Sequence, residues 1–148
     1  MSSAAAIEYQ VLIYAPVAHV WQVLTTFDRY GEWNRYAPEA RGTLAVGATV
    51  EIVAHLGSSR QRVNNRVLEI VPECRLCWVS LNWYQFLVRG TRCRFLEALP
   101  DGITLFRESE VMTGPLAPLV VGLLRSQLVA GLQAECESLK AAAERSTR

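Results

Sequence analysis

The sequence predicts an α+β fold: a curved, seven-stranded antiparallel sheet wrapped around one long C-terminal helix, with one or two short helices after the first strand. Three observations predict it. Between residues 40 and 112, strand-like runs alternate with tight-turn signals and no long helical period intervenes. After Gly114-Pro115 the apolar spacing changes from two residues to about 3.6 and keeps that period almost to the end. The chain has 148 residues, 51% hydrophobic and 20% charged, which suits one domain with a sizeable core and not a disordered chain.

The elements follow in order. Glu8 to Ala15 (EYQVLIYA) is a β-branched and aromatic run and reads as the first strand. Pro16 opens a helix whose Val17, Val20, Trp21 and Leu24 share one face. The stretch FDRYGEWNRY is short and broken by glycine, so it is a second short helix or an irregular loop. Ala40 to Leu44 makes a short strand, and a turn at Val46-Gly47 leads to ATVEIVAHL. Gly57-Ser58-Ser59 turns the chain into RQRVNNRVLEIV, and Pro72-Glu73 turns it into CRLCWVSL. Phe86 to Leu99 is a long strand closed by Pro100-Asp101-Gly102, a hairpin signal, and Ile103 to Met112 returns beside it. From Leu116 onward, Leu119, Val120, Leu123, Leu124, Leu128, Leu132, Cys136 and Leu139 mark an amphipathic helix of up to about thirty residues. A helix of that length lies along the sheet to bury its stripe, and a curved sheet gripping it leaves room for a cavity.

Composition excludes several function classes. Lys plus Arg is 15 against 14 Asp plus Glu, so no global charge favours nucleic acid. MSSAAAIEYQ lacks a basic region followed by an apolar stretch, and the run from Leu116 to Leu124 is too short to span a bilayer. The cysteines Cys74, Cys77, Cys93 and Cys136 follow no secreted-scaffold spacing, and a reducing cytoplasm fits best. Cys74 and Cys77 form C-x-x-C inside a strand, where positions three apart face opposite ways, so they read as structural. No metal-ligand cluster, phosphate loop or cofactor motif is present, and two distant histidines, His19 and His55, support no catalytic triad.

One stretch does carry chemistry. In GITLFRESEVMTG, Thr104, Phe106, Glu108, Glu110 and Met112 share a face, so carboxylates lie beside groups that favour burial. On the preceding strand, Leu87, Arg89, Thr91, Cys93 and Phe95 form the more apolar face and are expected to point inward. The turn then sets Arg89 or Thr91 across from Glu108 or Glu110, give or take one position. Inward, such an Arg–Glu cluster survives burial only by pairing, and its guanidinium suits the polar end of an apolar ligand. The alternative is that both glutamates are solvated on the outer face. Trp78 is expected in the core wall, and Trp83 and Tyr84 at the cavity rim. Arg60, Arg62, Asn64 and Arg66, with Arg92 and Arg94, are expected as a solvated basic stripe on the convex face.

The stretches YAPVAHVWQVLTTFDRYGEWN, GTLAVGATVEI, LEALPDGITLFRESEVMTGPLAPLV and LQAECESLKAAAE together resemble the START-like (SRPBCC) helix-grip superfamily, close to its small bacterial polyketide cyclase/dehydrase and lipid-transport members. The resemblance covers nearly the whole chain as a single domain, 1–148. It implies a hydrophobic small molecule held between sheet and helix, and in some members cyclisation or dehydration of polyketide chains. Trp33 and Asn34 match the family's Trp-Asn pair, which closes one end of the cavity. Glu110 and Gly114 match a recurrent Glu-x-Phe-x-Gly with Met112 in the aromatic place. Similar bacterial sequences often carry a histidine where this chain has Cys93, and its loss weakens an enzymatic reading. Three readings follow: a binder of a lipid- or polyketide-like molecule, a cyclase/dehydrase using Glu108 or Glu110 as acid-base, or a partner-binding domain with a filled core. The expected cavity wall is Trp78, Leu87, Phe95, Phe106, Met112, Leu124, Leu128 and Leu132, with Arg89 and Glu108 or Glu110 at its polar end. No metal or cofactor is expected, nor a nucleic-acid partner, while a homodimer is possible.

Overall fold

A computed structural model describes residues 4–82 and 84–146. Seven strands form one antiparallel sheet in the order β1-β7-β6-β5-β4-β3-β2. They are β1 (Ala4–Ile13), β2 (Glu39–Gly42), β3 (Thr49–Leu56), β4 (Ser59–Val71), β5 (Arg75–Leu81), β6 (Arg89–Leu99) and β7 (Ile103–Thr113). Between β1 at one edge and β2 at the other run helix α1 (Val17–Thr25) and a 3-10 helix (Phe27–Glu32). Helix α2 (Ala117–Arg145) closes the chain against the concave face. The helix-grip architecture expected from the sequence is the one observed.

Strand β7 is central to the assembly. It pairs with the N-terminal strand on one side and with β6 on the other, so the two ends of the sheet's sequence are joined there. The turn from β7 into α2 needs Gly114, whose φ is 112°. A Cβ at that position would lie 2.4 Å from the Leu87 carbonyl oxygen. The close approach lets the Leu116 amide donate to the same carbonyl at 3.0 Å, which ties the start of α2 to the loop before β6.

The core has two parts. Around α1 and the C-terminal half of α2, Ile13, Leu24, Phe27, Tyr30, Trp78, Phe106 and Leu139 pack into a closed apolar cluster. Toward the N-terminal half of α2, Ile7, Val121, Leu128 and Leu132 form a smaller cluster with Met112 and Leu124 at its margin. The buried stripe of α2 is therefore Ala117, Val121, Leu128, Leu132, Cys136 and Leu139, with Glu135 among them. Leu116, Leu119 and Leu123, which the periodicity assigns to the buried stripe, are exposed.

The expected facing of β6 is reversed. Arg92, Arg94 and Leu96 point into the grip and are buried, while Arg89 is exposed and Phe95 lies on the outer face. The register places Arg92 opposite Glu110 and Arg94 opposite Glu108, so the pairing is displaced from the expected one by one residue beyond Thr91. A slip of one residue turns every side chain over. Apolarity misleads here because the outward aromatic finds cover: the guanidiniums of Arg107 and Arg75 lie 4.1 and 5.7 Å from the Phe95 ring centre. The convex basic stripe accordingly loses Arg92 and Arg94. Arg62 and Arg60 stay on the surface, facing Glu51 and Glu39.

The same register sets Cys77 opposite Cys93, and the two form a disulfide across β5 and β6 with Cα atoms 4.1 Å apart. Cys74 is a free, exposed thiol, so the C-x-x-C is not itself a pair. Cys93 belongs to the outer face, and the missing histidine at that position has no bearing on the concave side.

A buried charge cluster beneath an apolar cavity

Two arginines and three glutamates meet inside the grip. The Arg94 side chain donates from Nη2 to Glu135 Oε1 at 2.6 Å and from Nε to the same oxygen at 3.1 Å. Its Nε also lies 3.3 Å from Glu108 Oε2. Its guanidinium stacks over the Trp78 ring at 4.0 Å. Arg92 donates from Nε to Glu110 Oε2 at 2.8 Å, and a second bond runs from Nη2 to the same oxygen. Arg92 Nη1 stands 3.5 Å from Glu108 Oε2, too far for a good hydrogen bond, and neither atom has another hydrogen-bonding partner among the described residues. The Tyr36 ring covers the Arg92 guanidinium at 4.4 Å. Asn34 completes the cluster: its Nδ2 donates to Glu135 Oε2 at 2.9 Å, while its Oδ1 accepts the amides of Tyr36 and Ala37. Asn34 thus anchors the loop after the 3-10 helix to the middle of α2.

The two fully buried glutamates diverge in acidity. Burial is the largest influence on Glu108 and pushes its pKa well up, and the neighbouring Glu135 charge adds to that rise against the pull of Arg94. Burial also opposes ionisation of Glu135, but Arg94, a hydrogen bond with Glu108, Arg92 and Asn34 together bring it down to about 2. Glu108 therefore keeps its proton to higher pH than an ordinary carboxyl, while Glu135 is the stronger acid of the two. Burial pushes the Tyr36 phenol up to about 12, with Arg92 opposing the rise.

The raised Glu108 pKa has a measurable consequence. A folded-state pKa raised above the unfolded value of about 4.3 means that stability falls as pH rises from there toward the folded value. Glu108→Gln mimics the neutral acid and removes that slope. The variant is expected to match the parent below about pH 4 and to exceed its stability by about 1–3 kcal/mol near pH 8 in urea unfolding, since a tenfold change in proton affinity is worth about 1.4 kcal/mol. A loss of stability at pH 8 would show that the folded state does not raise the Glu108 pKa.

Above the cluster lies a cavity of about 310 Å³. Trp78, Val88, Met112, Val120, Leu124 and Leu128 are among its apolar walls, Arg92 and Glu110 stand at its polar end, and Tyr36, Asn82 and Tyr84 also line it. Gly90 contributes open space there, because a Cβ would come within 2.9 Å of Glu110 Oε1. The Oδ1 of Asn82 is buried without a hydrogen-bonding partner among the described residues.

The expected site residues divide clearly. Trp78, Glu110, Met112, Leu124, Leu128 and Tyr84 line the cavity. Glu108 is fully buried in the cluster below it, and Phe106 and Leu132 belong to the core. Leu87 is half-buried in the loop before β6 and is not part of the wall, and Arg89 and Phe95 face outward. Trp33 packs edge-on against Tyr30 at 4.9 Å, outside the cavity. It borders a separate, open groove of about 400 Å³ with His19, Gln22, Arg29 and Arg145, where Arg29 pairs with Glu32. Trp83 lies outside the described residues. His19 is half-buried against Ser146 at 2.6 Å, and His55 is absent from the cavity wall.

Arg92, Arg94, Glu135 and Tyr36 were not among the expected site residues. One signal for Glu135 was available: it sits three residues after Leu132 and four before Leu139, on the buried stripe of an otherwise apolar helix face. A charge in that place requires a partner across the core.

With this geometry in hand, comparison with known proteins places the chain. Residues 4–144 match the family of polyketide cyclase/dehydrase and lipid transport proteins, and the chain belongs to that family. Among solved structures, the Zhui aromatase/cyclase from a Streptomyces species superposes with a TM-score of 0.82 at 15% identity, covering 99% of this chain and 97% of that one. Norcoclaurine synthase from Thalictrum flavum, solved as a point mutant with a transition-state analogue, gives 0.77 at 10% identity over 100% and 99% of the two chains. The di-domain aromatase/cyclase StfQ of steffimycin biosynthesis gives 0.77 at 13% identity, with 97% of this chain matching 52% of that one. At these identities the structural likeness establishes the fold. No protein of curated function matches the sequence.

Proposed function

We propose that the cavity binds a small, mainly apolar molecule with a hydrogen-bond-accepting group at one end. One observation carries this reading: Arg92 and Glu110 stand together at one end of the wall of an otherwise largely apolar space. Glu110 and the Tyr36 ring hold the guanidinium in place while Nη1 is turned to Glu108 at 3.5 Å, so the arginine meets a ligand as a fixed positive charge in the wall. A volume of about 310 Å³ is near the small end for ligand sites and holds roughly ten waters at liquid density. That space matches one or two fused rings rather than a long acyl chain. Asn82 Oδ1 offers a buried acceptor for a donor elsewhere on the ligand.

A second reading is catalysis of the cyclase/dehydrase kind. It is supported by Glu110, which is the one glutamate of the cluster that lines the cavity. Its acid-base role would be tested with Glu110→Gln, which should abolish turnover of a polyketide-like substrate while product binding persists.

The binding reading is tested by native mass spectrometry of freshly purified protein and by thermal melting against a panel of small ring compounds. Ala54 lines the cavity and is buried. Ala54→Phe fills the space from within. The parent should gain several degrees in melting temperature with at least one compound, in proportion to RT ln(1 + [L]/Kd). The Phe variant should stay folded and lose the gain. Equal ligand responses in both proteins would place binding elsewhere.

A further inference from the structure

Helix α2 contains two glycines, Gly122 and Gly131, and they differ in their surroundings. A Cβ at the exposed Gly122 would meet nothing within 4 Å. A Cβ at the buried Gly131 would lie 3.0 Å from Cε1 and 3.1 Å from Cδ1 of Tyr36. Glycine inside a helix is destabilising relative to alanine, because it gives up the most backbone freedom on folding. At position 131 that loss makes room for an aromatic ring beside the cavity.

The ring is held from several directions. The Tyr36 amide donates to Asn34 Oδ1 at 3.0 Å, and the Tyr36 carbonyl accepts the His55 amide at 2.8 Å, which ties the loop to β3. Asn34 also donates to Glu135, about one helical turn after Gly131. The loop therefore runs along α2, with Asn34 against Glu135 and Tyr36 against Gly131. On the sheet side the same ring meets Arg92, whose guanidinium carbon lies 4.4 Å from the ring centre. Tyr36 thus spans the gap between α2 and β6 with its backbone fixed. A close-packed interior passes displacement on rather than absorbing it. A larger residue at 131 pushes the ring, and the ring moves the guanidinium off the plane in which Nε reaches Glu110 at 2.8 Å.

We infer that Gly131 and Tyr36 are positioning residues for the polar end of the cavity. The missing side chain at 131 lets the Tyr36 ring fix the plane of Arg92, and that plane decides how strongly a polar-ended ligand is preferred. The ligand part of this inference rests on the binding reading above. The fixing of Arg92 does not, so the two are measured separately.

The first measurement needs no ligand. The Arg92 Nε–H signal in a heteronuclear NMR spectrum, identified by its loss in Arg92→Met, reports through its exchange with water how firmly the guanidinium is held. Gly131→Ala and Tyr36→Leu should each speed that exchange about tenfold or more, because each opens the local packing. Adding Gly131→Ala to Tyr36→Leu should change the rate by no more than about twofold, since the alanine acts only through the ring. Tyr36→Phe keeps the ring and should keep the slow exchange. The two single variants approach one contact from opposite sides, so misfolding of either leaves the other to decide. The second measurement is isothermal titration with 1-hydroxy-2-naphthoate and naphthalene. The preference for the carboxylate should fall about fivefold or more in both single variants, as a charged hydrogen-bonding group loses its alignment, and Tyr36→Phe should restore most of it.

Three results would overturn the inference. One is an Arg92 signal that exchanges as slowly in Gly131→Ala as in the parent. Another is an alanine effect of equal size with and without Tyr36, which places its action elsewhere. The last is faster exchange with an undiminished preference, which separates the plane of Arg92 from ligand choice. Failure of both compounds to bind the parent overturns the binding reading, and the exchange rates still decide whether Gly131 and Tyr36 position Arg92.

Discussion

Arg94→Met is expected to lower the melting temperature by about 10–15 °C at pH 7. The guanidinium is the main opposing charge for Glu135, and both side chains are buried. Removing one partner of a buried pair costs about 3–5 kcal/mol, because the other is left charged without compensation. For a domain of this size each kcal/mol moves the midpoint by roughly 2–4 °C. The substitution also ends the stacking on Trp78. Its pH dependence is diagnostic. Glu135, lowered to about 2, contributes stability that is present above the unfolded value of about 4.3. That contribution is lost as pH falls toward 2. The gap between parent and variant should therefore be widest above about pH 5 and narrow below it. Arg94→Met/Glu135→Leu should recover part of the loss by removing the stranded carboxylate. A single variant melting within 3 °C of the parent at pH 7 would show that the cluster is not held by this pair.

Arg92→Met should remove the ability to distinguish a polar-ended ring compound from its hydrocarbon parent. The comparison uses 1-hydroxy-2-naphthoate and naphthalene, both sized for two fused rings. In the parent protein the carboxylate should bind about 10–100-fold more tightly, consistent with about 1.5–3 kcal/mol for a hydrogen bond to a charged group. In the variant the preference should fall to about threefold or less, while naphthalene binding is retained through Trp78, Leu124 and Leu128. Arg92→Lys should keep part of the preference, since it retains charge but not the planar fork lying against Tyr36. Isothermal titration of both compounds provides the readout. An undiminished preference in Arg92→Met would move the polar end of the ligand away from this arginine.

How far the cluster was readable depended on the element that carried each part. In β7, alternation placed Glu108 and Glu110 on one face with Phe106 and Met112 and left open whether that face is inward; the structure turns it inward, with no bulge in its pairing with β6. On β6 the same reasoning failed. Both faces carry arginine and both carry apolar groups, and the outward Phe95 is sheltered by Arg75 and Arg107, which reach it from neighbouring strands. Glu135 was legible as an anomaly in a helical stripe, but its partner lies 41 residues earlier in the chain. Leu119 and Leu123 satisfied the helical period and nonetheless face solvent, because the buried stripe of α2 runs along its other side.

By itself, the sequence determined the order of elements, the hairpin joining β6 to β7, the long closing helix and the shared face of Glu108 and Glu110. These follow from local periods and turn chemistry, which act over a few residues. Tertiary structure alone decided which face of β6 turns inward and which arginine meets which glutamate. It also decided which of two neighbouring glutamates is the weaker acid. Those outcomes depend on desolvation and on charges brought together from β6, β7 and α2, so the energy that selects them exists only once the three elements are packed.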